Sequence, residues 1–164
     1  MASGDNKAIV LPYRIWWRLF RELRRRGGDV RESGAFLLGL RGGRYAMVKA
    51  VAFYDDIDPG ALSTGIVRLS GHAMNGVWET CSELGLEVLA DIHTHPGGAG
   101  QSTSDRDHPM ISMRGHLALI APNFARSPFD LAGVGVYRYA GSKRWEDLLP
   151  PRLGWRGIKI RGVR

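Results

Sequence analysis

Residues 86–96, LEVLADIHTHP, constrain the fold of this 164-residue chain more than any other stretch. An apolar run that stops at a proline and is followed by the glycine-, serine- and aspartate-rich GGAGQSTSDRD reads as a strand feeding a turn and then a polar loop. Side chains alternate along a strand, so His93 and His95, two apart, project to one side and both imidazoles reach one point. The rest of the chain must build layers around this strand.

The flanking segments supply such layers. From Pro12, suited to a first helical turn, Ile15, Trp16, Leu19, Phe20 and Leu23 recur at helical spacing, Arg14, Arg18, Arg21 and Arg25 fill the other face, and Gly27-Gly28 ends the pattern. The arginine face is either a surface for an anionic partner or simply a solvated face. AFLLGL and RYAMVKAVAFY, separated by Arg41-Gly42-Gly43-Arg44, predict a β-hairpin, and residues 55–65, DDIDPGALSTG, a loop. A second helix is expected from Ala73, Met74, Val77, Trp78, Cys81 and Leu84, with Ser70 as N-cap and Gly85 as stop. HLALIAP and AGVGVYRYA predict two more strands. Strands interleaved with helices indicate an α/β or α+β layered fold: one domain over residues 1–150, then a basic tail over 151–164 that Trp155, Ile158 and Ile160 could instead dock as a terminal strand.

Composition removes several classes. With 44% hydrophobic residues and 24% charged, the chain is globular rather than disordered or fibrous, and a single cysteine excludes a disulfide scaffold. Cys81, beside Trp78 and Leu84 in the helical pattern, reads as a reduced, buried thiol, which points to a reducing compartment, the cytoplasm. No apolar run approaches the roughly 20 residues that span a bilayer, and MASGDNK has no secretory pattern, so neither export nor a membrane partner is expected. The formal charge is +7, but residues 32–151 hold ten basic and thirteen acidic residues, a net of −3, so the positive excess belongs to the two ends. Nucleic acid is therefore disfavoured at any site in the middle of the chain.

Paired histidines at a strand end can be ordinary hydrogen-bonded polar residues. Here the following Pro, the glycine turn and an S-x-x-D favour a metal instead: a third ligand about ten residues on gives His, His and Asp with the fourth tetrahedral position left to water, the mark of a catalytic zinc site.

Glu32 with the Gly34-containing apolar strand behind it, His93-Thr94-His95-Pro96, and Ser102-Thr103-Ser104-Asp105 together resemble the JAMM (MPN+) metalloprotease family, over roughly residues 8–140. The resemblance implies a curved mixed β-sheet flanked by helices, the cytidine-deaminase-like architecture, and zinc-dependent hydrolysis of peptide or isopeptide bonds at the C-terminus of a ubiquitin-like protein. It implies zinc on His93, His95 and Asp105, Glu32 as proton shuttle, and Ser102 as hydrogen-bond donor to the developing oxyanion. Only residues 97–101 separate Pro96 from Ser102, and Ser104-Asp105-Arg106-Asp107 also reads S-x-x-D, so Asp107 stands as the alternative third ligand. His108, at a presumptive helix start, reads as a surface or capping residue, Asp91 as a second-layer partner of an imidazole or a solvated acid, and His72 and His116 as structural.

E1-like and E2-like proteins are the further partners implied by resemblance to bacterial members of such systems. Residues 55–65 and the Gly97–Gly100 turn are candidate walls for a substrate tail. Two other functions remain open at this point: a metal-free MPN scaffold, and a nucleic-acid-associated protein using the arginine helix and basic tail.

Overall fold

The computed structural model describes residues 8–126, 131–148 and 157–162. In chain order it runs β1 (Ile9–Pro12), α1 (Tyr13–Gly27), β2 (Gly34–Gly42), β3 (Tyr45–Phe53), α2 (Tyr54–Ile57), α3 (Gly71–Leu84), β4 (Glu87–Thr94), α4 (Thr103–Asp107), β5 (Leu117–Ala121), β6 (Gly135–Gly141), β7 (Arg144–Asp147) and β8 (Ile158–Arg161), with short 3-10 turns at Asn123–Ala125 and Leu131–Gly133. The strands form one mixed α+β sheet ordered β7-β6-β5-β4-β2-β3-β1-β8. β2 is antiparallel to both β3 and β4, β4 is parallel to β5, and β1 is parallel to β3 and β8.

The period of two along β2 sorts the core into two layers. Ala35 and Leu37 face one side and pack with Trp16, Leu19, Phe20 and Leu23 of α1, while Phe36 and Leu38 face the other with Tyr54, Val77 and Cys81. β2 is thus buried on both faces, and its sequence is a continuous apolar run rather than an alternating one. Leu19, Phe20 and Leu23 are fully buried, each contributing about 1.5–3 kcal/mol of transfer free energy. At the end of α1, Gly28 takes the left-handed conformation (φ 61°) and its N–H reaches back to the Arg24 carbonyl.

Several expectations need correction. Pro12 ends β1 and precedes the helix rather than opening its first turn. The segment expected as a loop over 55–65 begins inside α2, which Arg26 holds by bonds of 2.8 Å to both Asp55 and Asp56. The polar stretch after the histidines folds into α4 at 103–107. α3 has the expected caps, Ser70 and Gly85, but buries only the narrow stripe Ala73, Val77 and Cys81; Trp78 and Leu84 are 46% and 55% exposed. Burial, with the Glu87 charge nearby, raises the Cys81 pKa. Residues 158–161 form β8 against β1, whereas Trp155 lies outside the described residues. No helix among the described residues is long and apolar enough to cross a membrane.

Candidate metal centre

β4 lies between β2 and β5, and its C-terminal end carries the two histidines. Their placement follows from register: His93 lies opposite Gly34 on β2 and Ile120 on β5, and the His95 N–H extends the ladder to the Ala121 carbonyl at 2.9 Å. Gly34 is required there, because a Cβ would sit 2.3 Å from the Tyr54 ring and 2.8 Å from the Ile92 carbonyl. The imidazoles converge, with Nε2 atoms 3.0 Å apart.

Asp105 reaches this pair through local chemistry. Ser102 is the N-cap of α4: its Oγ accepts from the Asp105 N–H at 3.1 Å while its own N–H donates to Asp105 Oδ2 at 2.6 Å, a reciprocal capping box. The carboxylate so held lies 3.3 Å from His93 Nε2 through Oδ1 and 3.3 Å from His95 Nε2 through Oδ2. His93, His95 and Asp105 each offer a ligand atom, all within 4.8 Å of one another. Asp107 is not in this group; its carboxylate is 4.0 Å from Lys143 Nζ.

Three protein donors support the turn that leads into α4, and a fourth closes the helix at its far end. Tyr137 donates its hydroxyl to the Ala99 carbonyl at 2.7 Å, the Asn123 and Phe124 N–H groups donate to the Gly97 and His95 carbonyls, and His108 donates from the C-cap to Ser104. His108 is therefore a capping residue at the end of a helix rather than at its start. Gly135 lets the turn sit directly on β6, since a Cβ would come 2.2 Å from the Ala99 oxygen.

Glu32 comes from the other side of the sheet's centre. Ser33 is fully buried, donates its hydroxyl to the Leu23 carbonyl of α1 at 2.6 Å, and its N–H meets Thr94 Oγ1 at 3.0 Å. That latch joins β2 to the strand end between the histidines and sets Glu32 Oε1 3.9 Å from His95 Nε2. The Glu32 N–H donates to the Gly65 carbonyl, and Glu32 Oε2 accepts from Val67 at 3.4 Å, so the segment before α3 is tied to this carboxylate.

The electrostatics of the cluster follow from its burial. Burial alone pulls the His93 imidazole down, but Asp105, with Asp91 and Glu32 behind it, outweighs burial and raises its pKa. Burial pushes the Asp105 carboxyl up, and the two imidazoles and the Ser102 N–H overcome it, holding the group far below the usual carboxylate range. Asp91 is buried and bonds His116 Nε2 at 2.6 Å, so it is neither a solvated acid nor hydrogen-bonded to a histidine of the cluster, and His116 is its partner across β4 and β5. Burial, then the Asp91 charge, raises the Tyr54 phenol well above its ordinary value. His72 is exposed on α3 and does not belong to the His93, His95 and Asp105 group.

These groups open onto a cleft of about 410 Å³, whose floor includes Glu32, His93, Ser102 and Asp105. Its apolar surface comes from Val67, Leu69, Met74, Met110 and Trp145. The candidate walls expected over 55–65 and Gly97–Gly100 are displaced: the lining residues are 66–69 and 101–102, because Ala61 and Leu62 turn into the core and Ala99 is pinned to β6. Trp145, which donates to the Arg106 carbonyl at 3.2 Å, carries no signal in the short polar strand RWED. Ser33 and Thr94 were readable only as neighbours of Glu32 and the histidines.

No family model matches the chain. Over 77 residues, 47% of its length, the chain is 43% identical to the Probable metalloprotease y4jG of Sinorhizobium fredii, and the match spans 46% of that protein, under half its length. Among solved structures, the solution structure of Protein DSY2949 from Desulfitobacterium hafniense matches with a TM-score of 0.62, covering 94% of each chain at 14% identity, a likeness of fold alone.

Proposed function

We propose that the chain is a zinc-dependent peptidase or isopeptidase of the JAMM (MPN+) type that hydrolyses the bond at the C-terminus of a ubiquitin-like protein. The convergence of His93, His95 and Asp105 beside Glu32 in one cleft carries this reading. The donor set fits the ion in kind, two imidazoles and a carboxylate: the Nε2 atoms are 3.0 Å apart, and each imidazole lies 3.3 Å from one oxygen of Asp105, His93 from Oδ1 and His95 from Oδ2, against about 3.3 Å between ligand atoms that sit about 2.0–2.1 Å from a tetrahedral zinc. The relative named as a probable metalloprotease supports the reading at the level of a metal-dependent protease.

When bound, zinc acts as a Lewis acid and makes water a nucleophile at neutral pH. In this reading Glu32, only 15% exposed and tethered by Val67, accepts the proton released on attack and returns it to the leaving amine. Ser102 accepts from Asp105 with a lone pair, which leaves its hydroxyl proton free to donate to a developing oxyanion. Cys81, the one cysteine of the chain, lies on the buried face of α3, so no thiol nucleophile competes for this role.

The test uses zinc-loaded protein and a panel of ubiquitin-fold proteins carrying an amide-linked coumarin at the C-terminus. The proposal expects chelator-sensitive coumarin release that falls by about 10²–10⁴ in Glu32→Gln while zinc is retained, the range of general-base catalysis. Release unchanged in Glu32→Gln overturns the mechanism, and binding of these proteins without release makes the chain a scaffold.

A further inference from the structure

We propose that the outer edge of β3 over residues 49–53, together with the flank of α1, is a docking groove that receives an extended acidic segment of a partner protein as an added strand. β3 pairs with β2 along its length, but with β1 only at Ala46 and Met47, because β1 ends at Pro12 and the chain turns into α1. Beyond that point the outer edge has no neighbouring strand among the described residues, and no backbone bond outside the β2 ladder is made by residues 49–53. In an antiparallel pair, every second residue directs its N–H and C=O away from its partner, so this edge offers donors and acceptors to an incoming chain.

The space beside the edge has a defined chemistry. A groove of about 400 Å³ has Ile15, Leu19 and Val51 as an apolar floor, continuous with the core under α1. Arg14, Arg18 and Lys49 rim it, all exposed and none in an ion pair with a described residue. The contrast within α1 is informative: Arg24, Arg25 and Arg26 are each neutralised by Asp29, Glu22 or the Asp55–Asp56 pair. Beside the open sheet edge Arg14, Arg18 and Lys49 have no acidic partner among the described residues, which fits an acidic ligand.

The same charges argue against other occupants. Two copies meeting edge to edge would bring the Arg14, Arg18 and Lys49 charges of one against those of the other, like against like. An aliphatic floor gives nucleic acid bases no stacking platform, and the Phe53 ring is already covered by the Arg26 guanidinium at 4.1 Å. Alternating acid and β-branched residues in an extended peptide would meet both the cationic rim and the apolar floor.

The experiment is fluorescence anisotropy on the full chain with a labelled heptapeptide, Glu-Val-Glu-Val-Glu-Val-Glu, with hydrogen–deuterium exchange to locate it. Saturable binding with new protection of residues 49–53 is expected, weakened at least tenfold by Arg14→Glu/Arg18→Glu/Lys49→Glu, and also by Lys49→Glu alone to a smaller extent. A peptide N-methylated at alternate residues should lose at least tenfold, since it keeps the charge but not the donors. No saturable binding, protection elsewhere, equal binding of the N-methylated peptide, or displacement by an oligothymidylate of equal charge at equal concentration would each overturn the proposal.

Discussion

Substituting Ser102 by alanine isolates how Asp105, the proposed third ligand, is held. α4 has five residues, far too short to hold its shape without its cap. The Ser102 hydroxyl accepts from Asp105 N–H at 3.1 Å, and the return bond from Ser102 N–H to Asp105 Oδ2 at 2.6 Å turns the carboxylate toward the imidazoles. Loss of a serine N-cap costs about 1 kcal/mol, within a range of about 0.5–2. If all of that is felt when the ligand set is assembled, zinc affinity falls about fivefold, with outer limits of about two- and thirtyfold. Ser102→Asn, an equally good cap, should keep affinity near that of the parent, and Ser102→Gly should lose only a few tenths of a kcal/mol. Competition with a chromophoric chelator at pH 7 measures all four proteins. The melting temperature of the metal-free protein should fall by no more than about 4 °C, because the α1 core is untouched. Affinity unchanged in Ser102→Ala, or as weak in Ser102→Asn as in Ser102→Ala, would refute the reasoning.

Two other perturbations probe the supports of the site. Gly135→Ala would place a Cβ 2.2 Å from the Ala99 oxygen, a backbone atom that must move, so urea denaturation should show a loss of about 1–3 kcal/mol together with weakened zinc binding; an unchanged midpoint would mean the turn is not seated as described. Tyr54 has a raised folded pKa, so its neutral phenol contributes stability that is whole below the unfolded value of about 10 and is lost as pH rises above it, by up to about 1.4 kcal/mol per pH unit. Tyr54→Phe should flatten that alkaline decline in denaturation experiments, and an equally steep decline would assign it to other groups.

The site was legible in the sequence where its geometry is local. The strand period aligns His93 with His95, and the S-x-x-D spacing is itself a capping box, so Asp105 lies one short turn from its own cap. Glu32, 61 positions from His93, is brought in by the pairing of β2 with β4, a register that no local pattern shows. Which of Asp105 and Asp107 lies beside the histidines likewise needed three dimensions, because both satisfy the spacing and only Asp105 shares the cap with Ser102. The fold was readable in its long amphipathic segments, α1 and α3, and in the apolar runs of β2 to β6. It was not readable in β1 and β7, four residues each, whose places come from pairing with neighbours rather than from any period of their own. The Asp91–His116 bond was hidden for the same reason, since it depends on β4 and β5 lying parallel with Asp91 opposite Ala118.

The most direct measurement of the central claim is metal content by elemental mass spectrometry on protein purified without chelator, for the parent chain and for His93→Ala, Asp105→Ala and Asp107→Ala. The account predicts about one zinc per chain in the parent and in Asp107→Ala, and none in the other two, because removing one of three protein ligands leaves too few to hold the ion. No metal in the parent even after zinc is supplied, or zinc kept by Asp105→Ala and lost by Asp107→Ala, would contradict it.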